Sequence, residues 1–452
     1  MVTDSVVEPS LLHRSLHEKP ILVDSAKGSY LYLSNEKRII DGCGGAAVVS
    51  VGHSNEQVIA DIHKQLQTVS YVHTLVYSTS PSEELANLIL EGNPGGLCRA
   101  FFCSSGSEAN ESALKLSRQY FYEKGETQRV NYISRNLSFH GNCLGGMSLS
   151  GHVARRRPFE DIIPDNFHRV SAANSYRGKK EGESDEIYVS RLALELDAKF
   201  QELGSDTIIG FVAEPIVGAS LGSMTAPGGY FKAMREVCDK YGALLIFDEV
   251  MCGSGRTGTF FAWEQENVVP DIVSIGKALG GGYGPVAGIL IHQKIVNVLK
   301  KNSGCFNSGH TYQAHPISCA GALSVQKIIK KQNLLENVRK MGAKLGQMLH
   351  LELDDHPYVG DIRGRGLFWG IEFVNDKQTK EPFDPSLSFG NKVKDAIFNL
   401  GCAVYPGCGT VDGVKGDHIL ISPSFDITGE MIEEIVSIVK QGIVEASKSI
   451  TN

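Results

Sequence analysis

The run Ala243-Leu-Leu-Ile-Phe-Asp-Glu-Val250 places five consecutive apolar residues directly before two carboxylates. A short apolar run without alternation reads as a strand buried on both faces, the kind that parallel sheets contain. Comparable runs recur at 100–103, 130–134, 208–214, 272–275 and 286–291, with longer amphipathic stretches between them. Strands alternating with helices predict an α/β fold: a largely parallel sheet with helices on both faces.

The ends of the chain read differently. Short strands at 30–33 and 38–41 flank the turn Ser34-Asn35-Glu36, and 57–66 carries helical spacing through Val58, Ile59, Ile62 and Leu66. After about residue 330 come a long helical stretch at 334–353, a strand at 366–373, a Gly-rich loop at 407–416, a strand at 419–422 and a closing helix at 431–446. Terminal segments on either side of a central α/β unit commonly join into one smaller α+β domain. The expected division is 1–68 and 331–452 for the small domain and 69–330 for the large one.

A length of 452 residues exceeds one typical domain, and 42% hydrophobic with 21% charged residues fits a folded globular chain. The net charge of −7 argues against nucleic-acid binding, which leaves a basic footprint. No apolar run is long enough to span a membrane; 286–292 is broken by Gln293 and Lys294. The segment 1–20 carries Asp4, Glu8 and Glu18 and lacks a signal-peptide core, and Ile450-Thr451-Asn452 matches no sorting address. The ten cysteines form no C-x-x-C pair, so no metal site is expected and a reducing, cytoplasmic setting is. A small molecule is the expected ligand.

Ligands of open parallel sheets collect at the carboxyl ends of the strands, and four ends carry chemistry. Ser104-Ser-Gly-Ser-Glu108 opens a helical pattern, offering unpaired N–H groups to a phosphate; ordinary N-capping by Ser105 or Ser107 is the alternative. Glu214 ends the strand before Pro215, where it serves the site or merely bonds a neighbouring loop. Asp248 follows five apolar residues and needs a donor or cation, if only a structural ion pair. Lys277 sits between an apolar strand and Gly280-Gly-Gly-Tyr-Gly284. Desolvation there lowers the amine's pKa and makes it a nucleophile able to form a Schiff base, although most lysines are plain surface charges. The glycines do not fit G-x-G-x-x-G, which argues against an NAD-dependent dehydrogenase. Together, a phosphate cradle, a buried carboxylate and a desolvated lysine are what pyridoxal 5'-phosphate requires.

These residues also resemble the class III (omega-type) aminotransferases, fold-type I pyridoxal-phosphate enzymes. The resemblance runs through Gly44-Gly-Ala-Ala-Val-Val-Ser-Val-Gly-His53, Ser104-Ser-Gly-Ser-Glu-Ala-Asn110, Ser138-Phe-His-Gly141, Ala213-Glu-Pro215, Asp248-Glu-Val250 with Gly255-Arg-Thr-Gly258, Ser274-Ile-Gly-Lys277, Gly309-His-Thr-Tyr312 and Asp361-Ile-Arg-Gly-Arg-Gly366. It implies a seven-stranded, mostly parallel sheet in the large domain. It implies Lys277 as the Schiff-base lysine and proton shuttle and Asp248 as partner of the pyridine nitrogen. Ser105, Gly106, Ser107, His140, Gly141 and Glu214 belong to the implied cofactor site, with Phe139 stacked on one ring face and Val250 on the other. Thr311 is similar to the threonine that reaches the phosphate from the other subunit, which implies a homodimer. The implied reaction is ping-pong transfer from an amine or amino-acid donor to an oxo-acid. Aminomutase, racemase and decarboxylase chemistry share the same motifs, and a non-catalytic homologue is a further alternative.

Three positions depart from the family pattern. Met251 stands where a Gln often contacts the cofactor's phenolic oxygen. Leu420 stands where members acting on α-amino acids carry a carboxylate-binding Arg. Val404-Tyr405-Pro406 leads into the extended loop where amine-type members often carry a mobile Arg. Arg156, Arg157, Arg256 and Arg365 are the candidate substitutes, against a prior of surface pairing. The donor is then expected among amines and ω-amino acids.

Overall fold

The uninterrupted apolar runs become the centre of one sheet. In the computed structural model, which describes residues 10–450, seven strands form it; Asp4, Glu8, Thr451 and Asn452, used above to read the chain ends, lie outside those residues. The strands are β1 (Leu97–Cys103), β2 (Asn131–Arg135), β3 (Phe167–Val170), β4 (Ile208–Ala213), β5 (Leu244–Asp248), β6 (Ile272–Ile275) and β7 (Ala287–His292). Their order is β1-β7-β6-β5-β4-β2-β3. Only β7 runs antiparallel to its neighbours, β1 and β6.

Side chains of a strand alternate between faces, and β5 shows why its run has no polar break. Leu245 and Phe247 pack with Phe211, Leu196 and Phe231 on one side. Leu244 and Ile246 pack with Ile209, Leu116 and Phe121 on the other. β3 was not anticipated. It is an edge strand containing His168 and Arg169, and an edge tolerates polar residues that erase the apolar signature.

The two ends of the chain meet. Val23–Lys27, Tyr30–Leu33 and Arg38–Asp41 form a meander that is joined in parallel by Cys402–Ala403 through Ile40 and Asp41. A second four-stranded sheet has the order Val359–Gly364, Trp369–Phe373, Asp417–Ile421, Tyr405–Cys408. One apolar core contains Ile40, Val51 and Val58 from the start of the chain and Leu345, Ile371, Ile435 and Val439 from its end.

The structure corrects the reading in places. The expected strand 366–373 begins only at Trp369, because Gly366, at φ +58°, turns against the backbone of Thr257. The first residues of the expected loop 407–416 belong to the strand Tyr405–Cys408. Val359–Gly364 was not expected as a strand, since it holds Asp361 and Arg363. Arg363 is buried because it pairs with Asp361 at 2.6 Å and Glu372 at 2.7 Å and donates to the Leu221 and Gly222 carbonyls.

Arg256 joins the sheet to both termini. Its fully buried guanidinium donates to the carbonyls of Ala47, Val49, Leu367, Ser422 and Pro423. Arg256→Met keeps an apolar stem and strands those carbonyls. We expect a loss of about 3 kcal/mol or more, read as a lower urea midpoint; a midpoint equal to wild type would remove this role.

Candidate active site

The carboxyl ends of β1, β4, β5 and β6 open on one cavity of about 400 Å³, where a parallel sheet collects ligands. Ser105, Gly106, Ser107, Phe139, His140, Gly141, Glu214, Asp248, Val250 and Lys277 all line it. Thr311 does not. It lies exposed on the loop after Gly309, and its carbonyl accepts from the Tyr71 hydroxyl at 3.0 Å.

After β1 the chain turns into the helix Gly106–Glu123. Ser105 caps it, its hydroxyl accepting from Glu108 N at 3.2 Å, while Glu108 Oε2 accepts from Ser104 N at 2.8 Å. This reciprocal cap is the ordinary alternative considered for these serines, and it coexists with the cradle. By helix geometry the N–H groups of Gly106 and Ser107 have no intrahelical acceptor, and both residues line the cavity. A Cβ on Gly106 would lie 2.5 Å from Val250 Cγ1, and one on Gly141 2.8 Å from Ser107 Cα. Only glycine permits these walls to close. Ser107 Oγ accepts from Asn142 N at 3.1 Å, fixing the far side.

Asp248, the last residue of β5, is 4% exposed. Its Oδ2 accepts from Asn110 Nδ2 at 2.7 Å and from His140 Nδ1 at 2.8 Å, and its Oδ1 from Val250 N at 3.0 Å. The His140 ring must carry its proton on Nδ1 to donate to a carboxylate. Asn110 received no role from the sequence. Its signal was its position one helical turn beyond Gly106, on the same side of the helix. The neighbouring Glu249 accepts from Ala262 N and Trp263 N at 2.7 Å each, and burial pushes it up to about 8. Burial likewise pushes Glu214 up to about 7, where it accepts from Phe139 N at 3.5 Å.

Lys277 follows β6 and Gly276 at φ +45°, a left-handed backbone that costs a non-glycine residue about 1–3 kcal/mol. The turn is held by Gly280 N and Gly281 N donating to the Lys277 carbonyl, both at 3.1 Å. Lys277 Nζ donates to Ala46 O at 2.9 Å, and burial lowers the amine to about 8.

The substitute arginines are placed elsewhere. Arg256 is the buried clamp described above, and Arg365 pairs with Glu266 at 2.8 Å. Neither they nor Arg156 and Arg157 line the cavity. Arg14 and Arg155 do, and the sequence reading had passed over both. Met251 also lines it, whereas Leu420 is fully buried against Phe368, Ile216 and Cys252.

The family description aminotransferase class-III matches residues 12–443. An aminotransferase of Gibberella zeae is 51% identical over 439 residues, covering 96% of this chain and 86% of that one. A thermostable (S)-enantioselective omega-transaminase from Thermomicrobium roseum superposes with a TM-score of 0.90 at 34% identity, covering 98% and 96% of the two chains. An amine transaminase from an uncultivated Pseudomonas species, solved in its PLP-bound form, gives a TM-score of 0.92 at 29% identity over 97% and 99%. The fold is that of the fold-type I PLP-dependent transaminases. The chain belongs to the class-III aminotransferase family, and its reaction is transfer of an amino group to an oxo-acid.

The lowered Lys277 amine has a direct consequence. In ligand-free protein, limited acylation followed by peptide mass spectrometry should label Lys277 with a half-maximal rate near pH 8, against about 10.4 for surface lysines. Below that pH the amine is protonated and unreactive; titration with the surface lysines would contradict its desolvation.

Proposed function

We propose that pyridoxal 5'-phosphate is the cofactor of this transaminase and that Lys277 and Asp248 are its catalytic residues. The observation that carries the reading is the convergence of a desolvated amine, a donor-held carboxylate and a glycine-walled helix start on one cavity. These features fit the group: the cradle at Gly106 and Gly141 is space that a Cβ would fill, and Asp248 gathers its donors without a Lys or Arg.

When bound, the cofactor supplies a carbonyl carbon for nitrogen exchange and a ring that withdraws electrons from the substrate carbon. Ser105, Gly106, Ser107 and Gly141 would hold its phosphate through N–H and hydroxyl groups. Asp248, oriented by Asn110 and His140, would hold a proton on its ring nitrogen. Phe139 and Val250 would pack against it and exclude water, with Glu214 beside them. Lys277 Nζ would hold it in place and carry a proton to and from the amine-bearing carbon of the donor. An amine near pH 8 suits both directions, because it gains and loses that proton close to neutrality. In the second half-reaction the oxo-acid acceptor receives the nitrogen.

We further take the working unit to be a homodimer in which Thr311 serves the neighbouring subunit's site. Leu75, Val76 and Tyr77 are exposed by 83%, 71% and 63%, and Tyr71, beside them in sequence, meets Tyr312 edge-on at 6.1 Å. Exposed apolar groups in this density mark an interaction surface. The division at 1–68, 69–330 and 331–452 is kept as our domain reading. No helix among the described residues is long and apolar enough to cross a membrane, and all ten cysteines are free; we place the enzyme in the cytoplasm.

Two experiments test this. With an amine donor and pyruvate, Lys277→Ala should abolish amino transfer and Asp248→Asn should lower kcat by about 100-fold or more; full turnover in the lysine variant ends the assignment. Mixing Lys277→Ala with Thr311→Ala subunits should restore roughly a quarter of wild-type activity, since half of random dimers carry one intact site. No restoration means that Thr311 does not cross the interface.

A further inference from the structure

Arg155 presents to the cavity a guanidinium that pairs with no carboxylate among the described residues and that an aromatic ring holds in place. It lies on the short helix Val153–Arg156 and lines the cavity. Its guanidinium carbon stands 4.7 Å over the Phe139 ring, a cation–π contact that holds it against the wall. No ion pair involves it among the described residues. The positive field it casts reaches Lys277. The carboxylates of the cavity, Glu214 and Asp248, lie at the strand ends, the latter already engaged by Asn110 and His140.

A second observation explains why the guanidinium is here. Leu420, paired across the sheet with Tyr405 and Gly370, is sealed in an apolar cluster and brings no charge to this side of the cavity. The loop joining Tyr405–Cys408 to Asp417–Ile421 folds back on itself, Gly409 N donating to Gly416 O at 2.8 Å and Asp412 Oδ1 accepting from Lys415 N at 2.7 Å. Gly413 then abuts the arginine's helix so closely that a Cβ there would lie 2.8 Å from Val153 Cβ. The extended loop therefore braces the helix that carries Arg155.

We propose that Arg155 receives the carboxylate of the substrate, so that this enzyme's donor and acceptor are both carboxylate-bearing: an amino acid and an oxo-acid. This rests on the transaminase reading above and names the substrate class of that site. A guanidinium offers two parallel donors to a carboxylate, and Arg155 is exposed, so its donors are open to an incoming anion while one face packs on Phe139.

The test compares Arg155→Leu, Arg155→Lys and Arg14→Leu, each loaded with pyridoxal 5'-phosphate. The readout is the ratio of kcat/KM for 4-aminobutyrate with pyruvate to that for n-butylamine with propanal. Arg155→Leu should lower this ratio by about tenfold or more, chiefly through KM, and Arg155→Lys should recover part of it. Equal losses for both substrate pairs, or a change in Arg14→Leu alone, overturn the proposal. Calorimetric binding of valerate reads the same contact without turnover: Arg155→Leu should weaken it by about tenfold, and unchanged binding overturns the proposal even in a protein that transaminates nothing. Failure of wild type to move nitrogen between any of these pairs overturns the transaminase reading instead.

Discussion

The site depends on a cation that never meets its substrate. Arg256 is fully buried, has no acidic partner among the described residues, and is solvated by five backbone carbonyls from three separated parts of the chain. Burial lowers it to about 9, the direction expected of a cation taken out of water. It is tolerated because each carbonyl it satisfies is one that an irregular segment cannot pair within a strand or helix. Ala47 and Val49 follow directly on Ala46, whose carbonyl receives Lys277 Nζ. Ser422 and Pro423 follow the strand containing Leu420. One guanidinium thus sets the first segment of the chain, the last sheet and Lys277 at fixed distances.

The neighbouring carboxylates of Asp248-Glu249 show how one strand end separates two tasks. Asp248 collects Asn110, His140 and the Val250 amide and lines the cavity. Glu249 turns away, holds the start of the segment at Ala262 and Trp263, and is pushed up to about 8 by burial. Side-chain alternation along an extended backbone accounts for the split. The environment, not the residue type, decides which acid meets a ligand.

What the sequence made legible follows from the same logic. Runs at 208–214, 243–248 and 272–275 were readable because burial on both faces removes every polar residue. The helix Leu334–Leu353 was readable because one face alone is buried, through Val338, Met341, Leu345 and Leu349. Lys277 stood out because a charge ending an apolar run is anomalous. The rest was hidden wherever a partner distant in sequence makes a polar residue acceptable. Arg363 is buried by Glu372, and Asn110 acquires its role from Asp248, 138 residues away. Arg155 was overlooked between its equally basic neighbours, Arg156 and Arg157. Only the fold shows that it is the member of the trio on the cavity, stacked on Phe139. Thr311 entered through family resemblance alone, and within one chain it does not line the cavity.

A guanidinium on Val153–Arg156 meets the cavity differently from one that a central strand such as Asp417–Ile421 would carry. A strand arginine is fixed by a ladder on both sides, so it measures one distance from the reacting carbon. Arg155 is fixed by an aromatic ring and by a helix of four residues that a loop braces from behind. That ring belongs to the same wall the cofactor would stack upon, so any shift of Phe139 moves the guanidinium with it. Meanwhile Leu420, Phe368 and Ile216 keep the adjoining core apolar, and Met251 adds a flexible thioether to the lining. A thioether adapts its shape at little cost. One cation over an aromatic wall beside an adaptable apolar side can answer charge at a substrate's end without fixing the length of carbon chain that carries it.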